Sequence, residues 1–380
     1  MTFFLTEDQT AVRDMAAAFA REKIAPHALA WDEEKHFPVD VLREAAALGM
    51  AGIYIRDDIG GTGLTRFDAA LIFEALAQGC PCVAAYLSIH NMCAFMIDAF
   101  GSPAQRERFL PPLLTMERLA SYCLTEPGAG SDAAALKTRA ARDGDHYVLN
   151  GQKQFISGAG NADDFYVVMV RTGEEGPGGI STLMVEGGTP GLKFGVNEKK
   201  MGWNAQPTRA VIFEDCRVPV ANRLGPEGIG FKIAMAGLDG GRLNIGACSL
   251  GGAQAALDKA LAYMKERRAF GKRLDEFQAL QFRLADMATE LEAARTLLWR
   301  AAANLDAKTA DATMLCAMAK RFATDAGFKV ANEALQLHGG YGYLFDYGLE
   351  KLVRDLRVHQ ILEGTNEIMR LIIARSLLGK

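Results

Sequence analysis

Apolar residues recur at helical spacing through the last part of the chain. Leu280, Leu284, Met287 and Leu291 are separated by four, three and four positions, which places them on one face of a helix. All 12 prolines lie at or before position 226, so the rest of the chain lacks the residue that costs about 3 kcal/mol inside a helix. The pattern predicts four or five long helices between about positions 228 and 378.

The first hundred or so residues are also helical by pattern. Thr6 followed by Gln9 forms a capping box, and an Ala-rich amphipathic run continues from it to about Ala30. Further helices are predicted over residues 39–48, 66–78, 82–100 and 104–117.

The middle of the chain alternates differently. Short runs rich in β-branched and aromatic residues are separated by Gly, Pro, Asn and Asp, which is typical of strands joined by turns. The runs are residues 146–151, 165–170, 181–185 and 210–213. Because no helices intervene, these strands favour an antiparallel sheet or barrel over a doubly wound fold.

The sequence therefore predicts a multi-domain α+β protein. We expect a helical domain over residues 1–118, a β domain over 119–226 and a second helical domain over 227–380. A chain of 380 residues is too long for one ordinary hydrophobic core, which agrees with this division.

Composition narrows the function classes. A net charge of −4 and a pI near 6.0 give no general electrostatic attraction for nucleic acid or an anionic membrane. The seven cysteines are odd in number, and reduced thiols in a cytosol-like compartment are expected. Cys80-Pro-Cys82 lacks the spacing of zinc motifs, so no metal is expected. Neither a leader at Met1–Leu5 nor a membrane-spanning run is predicted.

One glycine motif resembles a dinucleotide fingerprint. Gly128-Ala-Gly130-Ser-Asp-Ala133 fits G-x-G-x-x-A, but a Rossmann unit requires a strand before the motif and a helix and parallel strand after it. Here a short Ala-rich stretch leads into the antiparallel region, so Rossmann binding is not expected.

A longer set of motifs resembles the acyl-CoA dehydrogenase family over essentially the whole chain. The first resembles the family's flavin-binding signature, and the others follow in the family's order. The segments are Tyr122–Asp132, Asn150–Ser157, Met201–Trp203, Phe213–Asp215, Leu238–Arg242, Arg267–Gly271, Gln336–Gly342 and Ile361–Asn366. The resemblance implies a helical N-terminal domain, a central antiparallel β-barrel and a C-terminal four-helix bundle, assembled as a homotetramer.

The resemblance also implies FAD as cofactor and identifies residues that contact it. Glycines allow backbone N–H groups to approach a phosphate or ring edge, and a guanidinium suits a pyrophosphate. Some of these residues would contact the flavin of a neighbouring subunit: Arg267, Phe277, Gln278 and Gln336–Gly340. The implied flavin residues are Tyr122, Cys123, Leu124, Thr125, Gly128, Gly130, Ser131, Phe155, Ile156, Ser157, Arg267, Phe277, Gln278, Gln336, Leu337, His338, Gly339, Gly340, Thr365, Asn366 and Glu367. Taken alone, His338 is better explained as a structural histidine than as a base.

For the acyl-CoA substrate, the resemblance implies Ser131, Asp239, Gly240, Gly241, Arg242 and Arg375 as binding residues. Arg375 could equally be a solvated charge at a helix end.

Glu363 is the implied catalytic base. A carboxylate between Ile361-Leu362 and Gly364 would lose water when substrate binds, which raises its pKa toward that of a useful base. Without the resemblance, a glutamate just before a helix would more often be a surface residue that compensates the helix dipole. With it, Glu363 removes the α-proton of a thioester while the β-carbon passes hydride to the flavin.

Several segments are most similar to family members that act on the branched thioester isobutyryl-CoA, in valine breakdown. Some long-chain and isovaleryl-type relatives carry their base at the position of Gly241, so glycine there favours a short-chain type. Asp239 departs from the Asn expected for the branched-chain members. A straight short-chain, butyryl-CoA type therefore stays open, and the apolar helix around Tyr86–Met96 is expected to close the acyl pocket.

Partners and rival functions follow from the same resemblance. We expect an electron-transfer flavoprotein as electron acceptor and a location in the bacterial cytoplasm or, for a processed eukaryotic chain, the mitochondrial matrix. An acyl-CoA oxidase, a DNA-associated flavoprotein and a noncatalytic scaffold are the alternatives. The acidic pI argues against the DNA-associated protein, and the joint presence of flavin and base motifs argues against the scaffold.

Overall fold

Helices form where the sequence pairs capping residues with apolar stripes. The computed structural model describes residues 4–379, and Met1–Phe3 and Lys380 lie outside the described residues. The prediction about a leader at Met1–Leu5 therefore falls mainly on residues outside that range. The capping box at Thr6 and Gln9 is confirmed, with the Gln9 N–H donating to Thr6 Oγ1 at 3.2 Å. The N-terminal helices are α1 (Glu7–Phe19), α2 (Ala28–Glu34), α3 (Val39–Ala47), α4 (Arg66–Gly79), α5 (Pro81–Phe100) and α6 (Pro103–Leu114).

The first helix differs from its prediction. The Ala-rich run to about Ala30 is not one helix: α1 passes into a π-helical turn over Ala20–Ile24, and α2 begins only at Ala28. Pro26 lies in the intervening turn, and it cannot donate the backbone hydrogen bond that a continuing helix would need.

Strands fill the middle of the chain: each of the four predicted β-rich runs lies within a strand, and the sheet contains further strands that were not predicted. Most neighbours pair antiparallel, but β1 and β2 both run parallel to β4, with Ala120 opposite Phe165 and Arg139 opposite Arg171. The strands are β1 (Ala120–Cys123), β2 (Arg139–Asp143), β3 (His146–Ser157), β4 (Phe165–Arg171), β5 (Ile180–Glu186), β6 (Leu192–Phe194), β7 (Thr208–Pro219) and β8 (Arg223–Leu224). They form a sheet in the order β6-β7-β3-β2-β4-β5-β8, with β1 paired to β4. The sheet encloses its own apolar cluster, separate from the helical core.

The last part of the chain is helical. A short β9–β10 ribbon (Arg268–Ala269 and Lys272–Arg273) lies between the first and second of its long helices. The helix α9 packs against each of the other helices that follow the eight-stranded sheet. These helices are α7 (Gly230–Glu266), α8 (Gln278–Asp306), α9 (Ala312–His338), α10 (Leu349–Arg357) and α11 (Asn366–Leu377). The motif Gly128–Ala133 leads into a 3₁₀ turn over Ala133–Ala135 and then β2, so the argument against a Rossmann unit is confirmed.

Helix α5 lies in the interior. By length and composition it could cross a membrane, with a mean hydropathy of 1.3 over its most apolar window, but 83% of that window is buried inside the protein. Its apolar surface is therefore used in the core. All seven cysteines are buried and free within the described chain.

Candidate active site

A cavity of about 430 Å³ lies where β1 and β3 meet helices α5, α7 and α11. It brings together residues that are far apart in the sequence, from Tyr122 to Arg375. The predicted site residues that line it are Tyr122, Leu124, Thr125, Gly130, Ser131, Phe155, Ile156, Ser157, Arg242, Glu363 and Arg375. Residues predicted to contact the flavin and residues predicted to contact the substrate thus line the same cavity.

Glu363 faces this cavity from the turn that precedes α11. Its φ of +54° is left-handed, and Gly364 follows with φ +88°. The Oε2 atom is shielded from solvent and has no hydrogen-bond partner among the described residues. Loss of hydration raises the pKa of Glu363 to about 7, although the charges of Lys320 and Arg242 act in the opposite direction. An unpartnered carboxylate with such a pKa is what a general base near neutral pH requires.

Two glycines of α7 make room for neighbouring charged side chains. A Cβ on Gly241 would lie 2.3 Å from Glu363 Oε2 and 3.0 Å from the sulfur of Met92. A Cβ on Gly240 would meet the guanidinium of Arg66 at 2.3 Å. Gly241 therefore borders Glu363 and Gly240 borders Arg66, and neither glycine lines the cavity itself.

Arg242 is a buried cation with an open hydrogen-bonding position. Its Nη1 donates to Asp239 Oδ1 at 2.5 Å, and Asp239 Oδ2 accepts from Thr313 Oγ1 at 2.8 Å. The Nε atom of Arg242 is shielded and has no partner in the described chain. Asp239 thus orients Arg242 and does not itself line the cavity.

The opposite wall is made by strand ends of the β domain. Phe155 has a left-handed φ of +60° and is 64% exposed, while Ser157 is tied to β1 by a 2.8 Å hydrogen bond from Ser121 Oγ to its carbonyl. Below them, the buried Lys153 donates to the Leu124 carbonyl at 3.2 Å and to Glu126 Oε1 at 2.7 Å. This buried ion pair supports the β1 end of the wall.

Some predicted flavin residues lie elsewhere. Cys123 packs into the apolar cluster of the β domain, and Gly128 lines a separate cavity of about 350 Å³. Thr365 caps α11 by accepting the Ile368 N–H at 3.3 Å, as its sequence position suggests. Asn366 is buried against α9 and Glu367 is exposed, so both lie outside the cavity wall.

A second group of predicted flavin residues lines a different cavity, of about 510 Å³. Arg267 lies there with its guanidinium 5.4 Å from the ring of Tyr341. His338 is buried, its Nδ1 bonds the Ala334 carbonyl at 2.8 Å, and its ring stacks on Tyr263. That environment agrees with a structural histidine. The predicted residues on this wall are Arg267, Gln336, Leu337, His338, Gly339 and Gly340, while Phe277 and Gln278 lie just outside it at the start of α8.

Several residues of the first cavity were not assigned by sequence reasoning. They are apolar and come mainly from α7 and α11: Trp203, Phe231, Met235, Leu238, Ile368, Leu371 and Ile372. Spacing offers one usable signal, since Phe231, Met235 and Leu238 recur at four and three positions on one face of α7. Ile89 and Met92 come from the helix that was expected to close the pocket.

The cavity has the features that a flavin ring requires. Tyr122, Leu124, Phe155 and Ile156 supply apolar surface, and the Tyr122 hydroxyl is buried with no partner in the part of the chain that the structure describes. A Cβ on Gly130 would meet nothing within 4 Å, so the backbone there is open to a ligand. The residues fit a planar, largely apolar group with polar edges.

Three family models cover nearly the whole chain. The N-terminal, middle and C-terminal domain models of acyl-CoA dehydrogenase match residues 6–117, 121–216 and 228–378. The chain is 59% identical to the mitochondrial isobutyryl-CoA dehydrogenase of Bos taurus over 374 residues, which are 98% of this chain and 90% of the relative.

The chain belongs to the acyl-CoA dehydrogenase family.

Solved structures agree. Butyryl-CoA dehydrogenase from Megasphaera elsdenii superposes with a TM-score of 0.96 at 40% identity, covering 100% of both chains. A chain in the structure reported for the electron transferring flavoprotein of Acidaminococcus fermentans gives 0.97 at 42% identity, again covering 100% of both. The predicted fold class is confirmed, as is the enzyme class, because acyl-CoA dehydrogenases are FAD-dependent oxidoreductases that act on CH–CH groups.

Proposed function

We propose that this chain dehydrogenates a short, branched acyl-CoA between Cα and Cβ, converting isobutyryl-CoA to methacrylyl-CoA in valine breakdown. The observation that carries the proposal is the unpartnered Oε2 of Glu363, shielded from solvent beside the cavity wall that fits a flavin. The 59% identity to an isobutyryl-CoA dehydrogenase over nearly the full length supports the choice of substrate.

Glu363 acts as the base that removes the α-proton. Its pKa of about 7 leaves a substantial fraction ionised at neutral pH and makes the protonated product state accessible. The enolate that develops on the thioester needs hydrogen-bond donors at its oxygen, and the backbone N–H of Glu363 is the proposed protein donor. FAD, when bound, supplies the acceptor for the hydride that leaves the β-carbon. The substrate loses one proton and one hydride, and a double bond between Cα and Cβ remains.

The remaining residues hold and orient the two ligands. Tyr122, Leu124, Phe155 and Ile156 provide apolar contact for the flavin ring, and Thr125 and Ser157, which line the same cavity, offer hydroxyl groups to its polar edge. Water is excluded from this region by the apolar residues of α5, α7 and α11, which strengthens the electrostatic interactions at the base.

Coenzyme A is recognised by two positively charged side chains. Arg242 and Arg375 both line the cavity, and Arg242 keeps its Nε free for an acceptor in the substrate. Asp239 fixes the Arg242 guanidinium through the 2.5 Å bond. Ser131 supplies a hydroxyl between the flavin and CoA portions. Binding energy from the coenzyme A portion, which does not react, thus helps to position the acyl group that does.

The acyl pocket is closed by Ile89, Met92, Met235 and Leu238. Such a surface accepts a short hydrocarbon and offers no hydrogen bond to a polar one. A straight short-chain substrate is the second candidate, since the chain is 40% identical to a butyryl-CoA dehydrogenase over its full length.

We propose a homotetramer with an electron-transfer flavoprotein as acceptor, in the bacterial cytoplasm or the mitochondrial matrix. Support for shared sites comes from the second cavity, because Arg267 and Gln336–Gly340 line it and do not line the cavity of Glu363. If Arg267 and Gln336–Gly340 bind the flavin of a neighbouring subunit, their position in a cavity separate from that of Glu363 is explained.

The test is anaerobic reduction of the FAD-loaded protein by a panel of acyl-CoA thioesters, from propionyl through octanoyl and including the branched four- and five-carbon compounds. We expect isobutyryl-CoA to bleach the flavin fastest. Glu363→Gln should keep its flavin and lose at least about 10³-fold in reduction rate, within the range that general-base catalysis supplies.

Each outcome separates the candidates. Faster bleaching by butyryl-CoA would replace the branched substrate and leave the base unaffected. Equal reduction rates for the wild type and Glu363→Gln would overturn the assignment of the base. Rapid reoxidation by air with formation of peroxide would indicate an acyl-CoA oxidase.

A further inference from the structure

A buried lysine holds the chain at the C-terminal side of the turn that carries Glu363. Lys320 lies in α9 and is completely shielded from solvent. Its Nζ donates hydrogen bonds to the carbonyl oxygen of Gly364 at 2.8 Å and to Oδ1 of Asn366 at 3.0 Å. Removing an ammonium group from water costs several kcal/mol unless the surroundings compensate. A lysine at this place needs a physical explanation.

The turn that Lys320 holds is conformationally costly. Glu363 and Gly364 are consecutive left-handed residues, and that conformation costs a residue with a side chain about 1–2 kcal/mol. It persists only where neighbouring contacts enforce it. Asn366 provides the second set of contacts, because its Nδ2 donates to Thr324 Oγ1 at 2.9 Å and to Asp325 Oδ1 at 2.7 Å. Helix α9 thus fixes the backbone of the turn on its C-terminal side.

Lys320 also acts on the charge of the base. The Lys320 ammonium and the Arg242 guanidinium both lower the pKa of Glu363, against the larger effect of burial. Burial lowers the pKa of Lys320 itself to about 8, so at pH 7 most of it is charged. The other titratable groups that face Glu363 are neutral near pH 7: Tyr54, Cys93, Tyr122 and Cys248.

We propose that Lys320 is a positioning residue for the dehydrogenation: its bonds to Gly364 and Asn366 fix the left-handed turn that aims Glu363 into the cavity, and its charge favours the ionised base. The inference rests on the proposed function, because it assigns a role toward Glu363 as base. Lys320 does not line the cavity, so it acts through the turn and not by touching substrate.

Two variants separate the two effects. Lys320→Met removes both charge and hydrogen bonds, whereas Lys320→Gln removes the charge and keeps a donor. Loss of a nearby positive charge raises the pKa of a carboxylate by about one unit or more. For a base with a pKa of about 7, a one-unit rise takes the ionised fraction at pH 7 from about a half to about a tenth, so kcat/KM at pH 7 falls about fivefold.

The measurement is the pH profile of kcat/KM for the FAD-loaded enzyme with its best thioester. We expect the acid limb of both variants to move about one unit to higher pH. The plateau at high pH should fall only for Lys320→Met, by about 10-fold to 100-fold, because a displaced base reacts slowly even when it is ionised. Should Lys320→Met fail to fold, the shifted limb of Lys320→Gln tests the charge effect alone.

Lys329→Met is the matched control, since Lys329 lies on the same helix and pairs with Glu290 on the surface. Its profile should coincide with that of the wild type. If Lys320→Met and Lys320→Gln keep the wild-type limb and plateau, the inference is overturned while the function of Glu363 stands. If none of the acyl-CoA thioesters reduces the flavin of the wild type, the proposed function fails instead.

Discussion

Gly241 shows how closely one residue on α7 limits the position of Glu363. A Cβ at this position would lie 2.3 Å from Glu363 Oε2, so the flexible end of the glutamate must move when a side chain is introduced. We expect Gly241→Ala to leave folding intact and to slow flavin reduction by isobutyryl-CoA about 100-fold, as expected when a reacting group is misplaced by about 1 Å. Stopped-flow reduction at saturating substrate measures this.

The control at the residue scale is Gly178→Ala, because a Cβ at Gly178 meets nothing within 4 Å. It adds the same methyl group outside the site and should leave the reduction rate unchanged. A Gly241→Ala protein that reduces its flavin at the wild-type rate would show that the carboxylate has more room than the structure gives it.

Strand β3, which lines the cavity proposed to bind the flavin, is stabilised by a buried ion pair. Lys153 of β3 is fully shielded, Glu126 is 7% exposed, and the carboxylate also accepts the N–H groups of Lys137 and Thr138 at 2.6 and 2.8 Å. Lys153→Met leaves Glu126 buried without its cation, which costs about 3–5 kcal/mol in unfolding free energy. Urea unfolding at pH 7, followed by flavin fluorescence and circular dichroism, measures the loss.

The comparison is with an exposed pair of the same sheet. Lys193 and Glu214 lie 2.5 Å apart across β6 and β7, and both are 60% exposed. Lys193→Met should cost at most about 1 kcal/mol, as exposed pairs do. Adding Glu126→Gln to Lys153→Met should recover part of the loss, because no uncompensated charge is then buried. Equal losses for Lys153→Met and Lys193→Met would contradict a special role for the buried pair.

At the scale of the whole molecule, the two cavities predict that subunits share active sites. Glu363 lines one cavity and Arg267 the other. We expect Arg267→Ala to lose FAD and Glu363→Gln to lose turnover. Mixed oligomers of the two variants should regain activity, since one site in each mixed dimer combines an intact Glu363 with an intact Arg267 from the partner. Two affinity tags allow the mixed species to be purified and assayed.

The expected activity of a pure mixed dimer is about half of the wild type, because its second site carries both substitutions. Each variant co-purified with a differently tagged copy of itself should stay inactive. If the mixed species is no more active than these homogeneous controls, Arg267 and Glu363 of one subunit belong to the same active site.

The sequence by itself determined the order of helical and β regions and singled out the carboxylate that we propose as the base. Helical spacing, the absence of proline after position 226 and the alternating middle segment predicted the order helical, β, helical, and the motif around Glu363 named the carboxylate. These are local signals, carried by neighbouring residues. Where a local signal competed with one proline, as between α1 and α2, the boundary was missed.

Only the tertiary structure decided what surrounds those residues. The pKa of Glu363 depends on burial and on Lys320, which belongs to a different helix. Tyr122 and Cys123 are adjacent on β1, but because side chains alternate along a strand, Cys123 faces the β-domain core and Tyr122 faces the cavity. Desolvation and long-range contact are set by how helices and sheet pack, so no local pattern contains them.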